Sequence, residues 1–167
     1  YLDGSDILDF KVANVLKLKE NNKLPVKSRL DKTRSDIFGS INYNVNNNLK
    51  LGYDFSYDRD LKFSNLEGLN IDLSLNNVFT DFYYYTTSNE LGENENISNN
   101  TTIKINDENA IKFSTSKDLI NNFTEFYDLV YSHETDCISV NLNYNKSFYK
   151  DGNLKPNESI SFLIKII

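Results

Sequence analysis

The sequence has few of the residues that build catalytic and metal sites. Of its 167 residues one is Cys, one is His, and none is Met or Trp. A single cysteine, Cys137, excludes an internal disulfide. A single histidine, His133, excludes a metal site built from several histidines and argues against a Ser-His-Asp triad. We therefore expect no catalytic residues, no metal and no cofactor, and we do not expect an enzyme.

Positive charge and long apolar runs are scarce as well. The 18 Lys and Arg residues stand against 24 Asp and Glu residues, which gives a net charge of -6, and they form no basic cluster. Binding to nucleic-acid phosphates requires such a cluster, so no nucleic-acid partner is expected. No stretch approaches the ~20 apolar residues of a membrane-spanning helix. A β-barrel stays compatible with the composition, because its strands alternate apolar and polar residues.

The dominant feature of the sequence is this alternation, repeated in about ten segments with polar turns between them. In the clearest segment one face carries Leu49, Leu51, Tyr53 and Phe55, and the other carries Lys50, Asp54 and Ser56. Near the end of the chain, Ile138, Val140 and Leu142 oppose Asn141 and Asn143, and Ile160, Phe162 and Ile164 oppose Ser161 and Lys165. Each segment therefore predicts a strand with one apolar and one hydrated face.

The sequence predicts an all-β fold, an antiparallel up-and-down meander of about ten strands. The predicted strands are Leu8–Lys19, Ile37–Val45, Leu49–Asp58, Lys62–Leu75, Val78–Thr87, Ser98–Ile105, Ala110–Lys117, Phe123–Ser132, Cys137–Tyr149 and Ser159–Ile167. Gly39 and Gly52 lie inside strands, where glycine indicates a close approach or a bend.

The connections and the aromatic residues favour a transmembrane β-barrel. Tight turns at 46–48, 76–77, 107–109 and 133–136 mostly alternate with longer polar segments at 20–34, 88–97 and 150–156. Tyr43, Tyr57, Tyr131 and Tyr144 lie near strand ends, where aromatic girdles occur. A soluble sandwich or barrel shows the same periodicity with its apolar face inward. We favour the membrane, because the Asn- and Ser-rich polar face suits a hydrated lumen.

From about Leu24 onward the order of segments resembles the C-terminal barrel portion of the LptD family, the outer-membrane proteins that insert lipopolysaccharide into the outer leaflet. The first residues that carry the resemblance are Arg34-Ser35-Asp36, which lead into Ile37–Tyr43, and Leu49–Asp58. The most specific part comprises Tyr127–Tyr131, Glu134, Asp136, Cys137, Ile138, Val140, Leu142, Tyr144, Phe148, Tyr149, Asp151, Leu154, Pro156 and the apolar final strand. Some family members carry two adjacent cysteines here, whereas Asp136 precedes Cys137 in this chain.

The resemblance implies that residues 1–167 are the C-terminal portion of an outer-membrane β-barrel domain whose N-terminal strands and periplasmic domain are absent. It implies lipopolysaccharide as cargo, the outer-membrane lipid bilayer as surroundings, and a plug lipoprotein and periplasmic bridge proteins as partners. The apolar residues named above would then face lipid and the polar ones the lumen. Cys137 would form a disulfide with the missing N-terminal region.

Two alternatives stay open. A small outer-membrane barrel of the porin or adhesin type can close alone with eight to ten strands. A soluble β-barrel that binds an apolar ligand is the third possibility. Pairing of the first and last strands, and the direction of Leu51, Tyr53 and Phe55, distinguish the three. A fragment would leave two unpaired sheet edges, so we expect it to aggregate or to require detergent when expressed alone.

Overall fold

The chain forms one antiparallel sheet of ten strands in a computed structural model, which describes residues 7–20, 23, 32–62, 64–89, 92–148 and 155–166. The strands are β1 (Leu8–Ala13), β2 (Ile37–Asn46), β3 (Leu49–Tyr57), β4 (Ser64–Leu75), β5 (Val78–Asn89), β6 (Gly92–Lys104), β7 (Asn109–Asp118), β8 (Phe123–Glu134), β9 (Ile138–Ser147) and β10 (Asn157–Ile166). They pair in sequence order, so the predicted meander is confirmed. Tyr149, Asp151, Leu154 and Ile167, which enter the predictions above, lie outside the described residues.

The predicted first strand is too long, because β1 ends at Ala13 and does not continue to Lys19. The Asn14 side-chain amide donates to the carbonyl oxygens of Ser35 and Asp36, at 2.8 and 3.2 Å. The Val15 N–H donates to Ser35 Oγ at 2.9 Å. Side-chain groups therefore replace the regular ladder hydrogen bonds at this point.

The predicted loop at 88–97 is also wrong, because β5 and β6 continue through it to Asn89 and from Gly92. The ladder pairs Glu95 with Thr86 and Asn96 with Tyr85. Polar residues lie on both faces of the strands in this segment. The alternation of apolar and polar residues is therefore lost, although the backbone pairing continues. The other predicted strand ends lie within two residues of the observed ones.

The sheet has two ends with different connections. We call the end formed by the connections 47–48, 76–77, 105–108 and 135–137 the turn rim, and the opposite end the loop rim. The connections 14–36, 58–63, 90–91, 119–122 and 148–156 lie at the loop rim. The predicted long segments at 20–34 and 150–156 fall at this rim, whereas the third, at 88–97, is wrong because only two residues separate β5 from β6.

The strands are staggered in a regular way. One row of directly paired residues runs from Leu8 on β1 through Leu51, Phe82 and Tyr127 to Lys146 and Glu158. The distance of these residues from the turn-rim end of their own strand increases across the sheet. It is two residues for Leu51, four for Phe82, seven for Tyr127 and eight for Lys146. A stagger of about one residue per strand is that of a barrel whose shear number equals its number of strands. The strands of such barrels tilt by about 36° from the barrel axis.

Both edges of the described sheet are open. β1 and β10 pair only with β2 and β9, so the described strands do not close into a barrel. Every residue of β10 is exposed, including Ile160 at 74 % and Ile166 at 82 %. A long apolar edge of this kind presents unpaired backbone groups and favours pairing with another strand.

Gly39 marks a close approach between β1, β2 and β3. A Cβ atom at Gly39 would lie 2.2 Å from the Lys11 carbonyl oxygen and 2.7 Å from Phe55 Cζ. Because the first of these is a backbone atom, the neighbour cannot move away without breaking the ladder. At Gly52 the nearest atom would be the Asn42 side-chain oxygen at 3.2 Å, which can rotate.

We predict that Gly39→Ala lowers the free energy of unfolding by about 1–3 kcal/mol, the usual cost of overpacking. Urea titration of the folded chain measures the change, with Gly52→Ala as the matched control. Equal effects of the two substitutions would show that the contact at Gly39 does not constrain the sheet.

Candidate functional site

The distribution of burial is the reverse of that in a water-soluble domain. Within the described part of the chain no hydrophobic side chain is buried. The buried side chains are polar: Ser35, Asp36, Asp58, Asn65, Asn96, Ser114 and Ser116. Soluble domains bury their apolar residues and hydrate the polar ones. The candidate site is therefore the pair of faces of the sheet.

The apolar face is continuous across all ten strands. The ladder register places on it Leu8, Phe10, Val12, Ile37, Ile41, Tyr43, Leu49, Leu51, Tyr53, Phe55, Leu69, Ile71, Leu73, Val78, Phe82, Tyr84, Ile97, Ile103, Ile111, Phe113, Tyr127, Leu129, Tyr131, Ile138, Val140, Leu142, Tyr144, Ile160, Phe162, Ile164 and Ile166. Leu129 and Leu142 are both 45 % exposed, although each lies within the sheet. We call this surface the apolar belt.

A charged boundary ends the belt on the loop-rim side. On the same face, Glu67, Lys117, Lys146 and Glu158 each lie eight residues from the turn-rim end of their strands, and Glu95 lies nine. Eight residues span roughly 26 Å along a strand. With the tilt inferred from the stagger, the belt is about 20 Å tall, close to the ~25 Å apolar band of outer-membrane barrels.

Tyrosine and ion-pair contacts strengthen this boundary. The Tyr84 hydroxyl donates to Glu95 Oε1 at 2.8 Å, and the Tyr57 hydroxyl donates to Glu67 Oε1 at 3.3 Å. Lys146 forms an ion pair with Glu158. Tyrosines with an apolar ring and a polar tip suit the level at which hydrocarbon gives way to head groups.

Four polar side chains interrupt the middle of the belt on β5, β6 and β7, and three of them form a closed ring. Thr101 Oγ1 donates to Asn99 Oδ1 at 3.1 Å, and Asn99 Nδ2 donates to Thr80 Oγ1 at 2.9 Å. Thr80 and Thr101 share a 2.7 Å hydroxyl contact, in which Thr80 must donate because Thr101 has used its proton. The second Asn99 proton binds the Asp81 carbonyl at 3.1 Å, and the fourth residue, Thr115, donates to the Phe126 carbonyl at 3.0 Å. Every donor of these four side chains is therefore satisfied within the sheet.

The opposite face is crowded and hydrophilic. Ser114 and Ser116 on β7 are only 7 % exposed, and they pair with Asp128 and Phe126 on β8. Ser116 Oγ binds Asn96 Oδ1 at 2.9 Å, one of many polar contacts across this face.

A cavity of about 430 Å³ lies on the polar face near the turn rim. Its polar lining residues include Lys50, Asp72, Asp81, Asn100 and Lys112. Asn70 Nδ2 donates to Asp72 at 3.2 Å and Asn100 Nδ2 donates to Asp81 at 2.9 Å. Charges of both signs and amides bind water and polar solutes.

Cys137 lies in the turn between β8 and β9, one residue before β9, whereas the predicted strand began with it, and it is an exposed free thiol. Acidic residues of this turn and of the turn before β7 surround it: Asp107, Glu108, Glu134 and Asp136. The part of the chain that the structure describes has no group of three or more His, Cys, Asp or Glu side chains arranged to hold a metal ion. It also has no helix long and apolar enough to cross a bilayer.

The register brings the predicted residues together on the two faces. Leu49, Leu51, Tyr53, Phe55, Ile138, Val140, Leu142, Ile160, Phe162 and Ile164 lie on the belt, and Lys50, Asp54, Ser56, Asn141, Asn143, Ser161 and Lys165 on the polar face. Contact of these residues with lipid or with a lumen stays a prediction. Sequence reasoning missed the Thr80–Asn99–Thr101 ring and the charged boundary, although the common spacing of the boundary residues from the turns was readable.

Comparison of the chain with models of known protein families gives no match, and comparison with curated protein sequences gives none either.

We predict that Thr101→Val destabilises the folded chain by about 1–3 kcal/mol, because it leaves Asn99 Oδ1 and the Thr80 hydroxyl without their partners. The triple substitution Thr80→Val, Asn99→Leu and Thr101→Val removes the whole ring and is expected to be nearly neutral. Denaturant titration in detergent measures both, and Thr102→Val on the opposite face is the control. A single substitution no worse than the triple one would exclude the closed ring.

Proposed function

We propose that this chain forms part of the wall of an outer-membrane β-barrel, with the belt against lipid and the polar face toward a hydrated lumen. The observation that carries the proposal is the reversed burial, in which large apolar side chains are exposed while serine and asparagine are buried. Lipid requires an apolar exterior, and every backbone group must then be paired within the sheet. The ladders of a continuous sheet meet that requirement along most of their length, apart from the two edges and the register shifts at Asn44/Asn46, Ser56/Tyr57 and Ser116/Lys117.

The geometry of the belt supports the same proposal. The charged boundary follows one level across β4, β6, β7, β9 and β10, which suits the plane of a membrane surface. Within the belt, the polar ring exposes no unsatisfied donor, so contact with hydrocarbon does not carry the cost of a lost hydrogen bond. The inferred strand tilt is that of a barrel.

The alternatives fit these observations less well. A soluble β-barrel would bury its apolar face, and none of the described belt is buried. A small self-closing barrel would pair β1 with β10, whereas both edges are open here. A segment of a larger barrel accounts for both features, because the missing strands would cover the two edges.

We further propose that the barrel belongs to a lipopolysaccharide translocon like those of the LptD family, located in the outer membrane. The support is the resemblance, whose most specific features correspond to β8, the turn at 135–137, β9 and β10. A hydrophilic wall gives the sugar and phosphate groups of the cargo a path, and a weakly paired seam between β10 and the first strand of the whole barrel would give acyl chains a route into the bilayer. The plug lipoprotein, the periplasmic bridge proteins and the disulfide at Cys137 belong to the same proposal.

We predict that Leu142→Arg, in the middle of the belt, lowers the free energy of folding into bilayers by about 2–4 kcal/mol. Asn143→Arg, one residue along β9 on the polar face, is the matched control and should change little. Urea titration of the chain in phosphatidylcholine vesicles measures both. Equal tolerance of the two substitutions would contradict a lipid-facing belt, since Leu142 would then be exposed to water.

Transport of lipopolysaccharide predicts contact between the cargo and the polar face. A photoreactive amino acid at Asn100, in the cavity, should give adducts that react with antibodies to lipopolysaccharide sugar in cells making the whole protein. The same amino acid at Phe82, on the belt, is the control and should give fewer sugar-positive adducts. If adducts at Asn100 are absent while the barrel is assembled normally, the cargo assignment is wrong and a porin-like function becomes the better proposal.

A further inference from the structure

The β1–β2 hairpin continues beyond the sheet as a short arm at the loop rim. After Asn14 one isolated antiparallel bridge joins the two segments, with Lys17 N–H donating to the Thr33 carbonyl at 2.7 Å and Ser35 N–H donating to the Val15 carbonyl at 3.0 Å. Leu16 and Arg34 pair between these two bonds. We call residues 15–19 and 32–34 the arm.

Buried polar contacts fix the base of the arm to the sheet. Ser35 is 4 % exposed, accepts the Val15 N–H and donates to the Asp36 carbonyl at 2.7 Å. The Asn65 side chain at the start of β4 donates to Asp36 Oδ2 at 2.8 Å. These contacts hold the base of the arm against the loop-rim ends of β2 and β4.

The composition of the arm differs from that of the rest of the chain. It holds four basic residues and no acidic one, Lys17, Lys19, Lys32 and Arg34, in a protein of net charge -6. Leu16 and Leu18 alternate with the two lysines and are 76 % and 102 % exposed. Just outside the arm, Glu20 pairs with Lys32 at 3.5 Å.

The position of the arm relates these residues to the proposed membrane surface. Val12 is the last belt residue of β1, and Leu16 and Leu18 follow it by four and six residues. On β4, β6, β7, β9 and β10 the charged boundary likewise ends the belt on the loop-rim side. Alternating leucine and lysine at a membrane surface suits burial of the leucines among acyl chains and contact of basic residues with phosphates.

We propose that the arm docks on the anionic lipid head groups of the membrane beside the loop rim, with Leu16 and Leu18 inserted and Lys19 and Arg34 against lipid phosphate. The proposal rests on the proposed membrane location of the belt. Charge complementarity identifies the partner, because a basic arm attracts an anionic surface. The whole chain, by contrast, has a net charge of -6. Each basic residue near an anionic surface contributes roughly a fivefold increase in binding.

Two fluorescent reporters test the arm and the belt separately. An environment-sensitive dye is attached at Thr33→Cys, in the arm, or at Leu142→Cys, in the belt, each with Cys137→Ser. The full chain is reconstituted in vesicles of phosphatidylcholine alone or with phosphatidylglycerol, and emission is measured at low and high salt. We expect the belt dye to report lipid in both vesicles, and the arm dye to shift to shorter wavelength only with phosphatidylglycerol at low salt.

Charge-neutralising variants provide the matched control. Lys19→Gln with Arg34→Gln should lower the ratio of embedded to water-exposed arm roughly 25-fold. Lys50→Gln with Lys112→Gln removes the same charge from the polar face and should leave the ratio unchanged. Circular dichroism confirms that each variant keeps its strands.

The outcomes separate the two proposals. An arm dye that ignores phosphatidylglycerol, beside a belt dye that reports lipid, overturns the arm proposal and leaves the barrel proposal standing. A belt dye that reports water overturns the barrel proposal, and an arm dye that still responds to phosphatidylglycerol would then support lipid docking on its own. Equal losses in the two double variants would show a general charge effect and overturn the arm proposal.

Discussion

The structure depends on one unbroken backbone ladder that joins ten strands in sequence order. A ladder of this kind forces successive side chains onto opposite faces, so the whole sheet has two surfaces and no interior of its own. No second layer lies against either surface in the part of the chain that the structure describes. Stability must therefore come from the ladder and from whatever covers the two faces and the two edges.

Each face then matches a different surrounding medium. The belt has a nearly constant height, ends at a charged boundary and satisfies its internal polar groups, as contact with lipid requires. The polar face has small side chains, amides and charges of both signs, as contact with water allows. This asymmetry is the basis on which we propose a function at a boundary between lipid and water.

Sequence periodicity was sufficient to predict the strands wherever one face was apolar. It placed Leu49 to Tyr57 and Ile138 to Ser147 on β3 and β9 to within two residues. It failed at 88–97, where both faces are polar and only backbone pairing defines the strand. It also failed after Ala13, because a side chain of Asn14 replaces the ladder bonds. Alternation has the same period whichever face is inward, so exposure of the belt became visible only with the register and the burial.

The candidate site was predictable in part for the same reason. The residues of each face could be assigned from their alternating positions along each predicted strand. Cys137 could be placed close to a turn. The Thr80–Asn99–Thr101 ring depends on which residues become neighbours across β5 and β6, and that register is not encoded in any local pattern. The arm was read as a continuation of the first strand, since Leu16 and Leu18 keep the alternation of β1 while leaving its ladder.

The most direct test of lipid contact by the belt is a spin-label scan along β9 from Ile138 to Ser147, with the chain in bilayers and Cys137→Ser as background. Collision with oxygen, which concentrates in lipid, and with a water-soluble nickel complex is measured at each position. The account predicts opposite alternation, with oxygen access highest at Ile138, Val140, Leu142 and Tyr144, and nickel access highest at the residues between them. Nickel access that peaks at Val140 and Leu142 would contradict it.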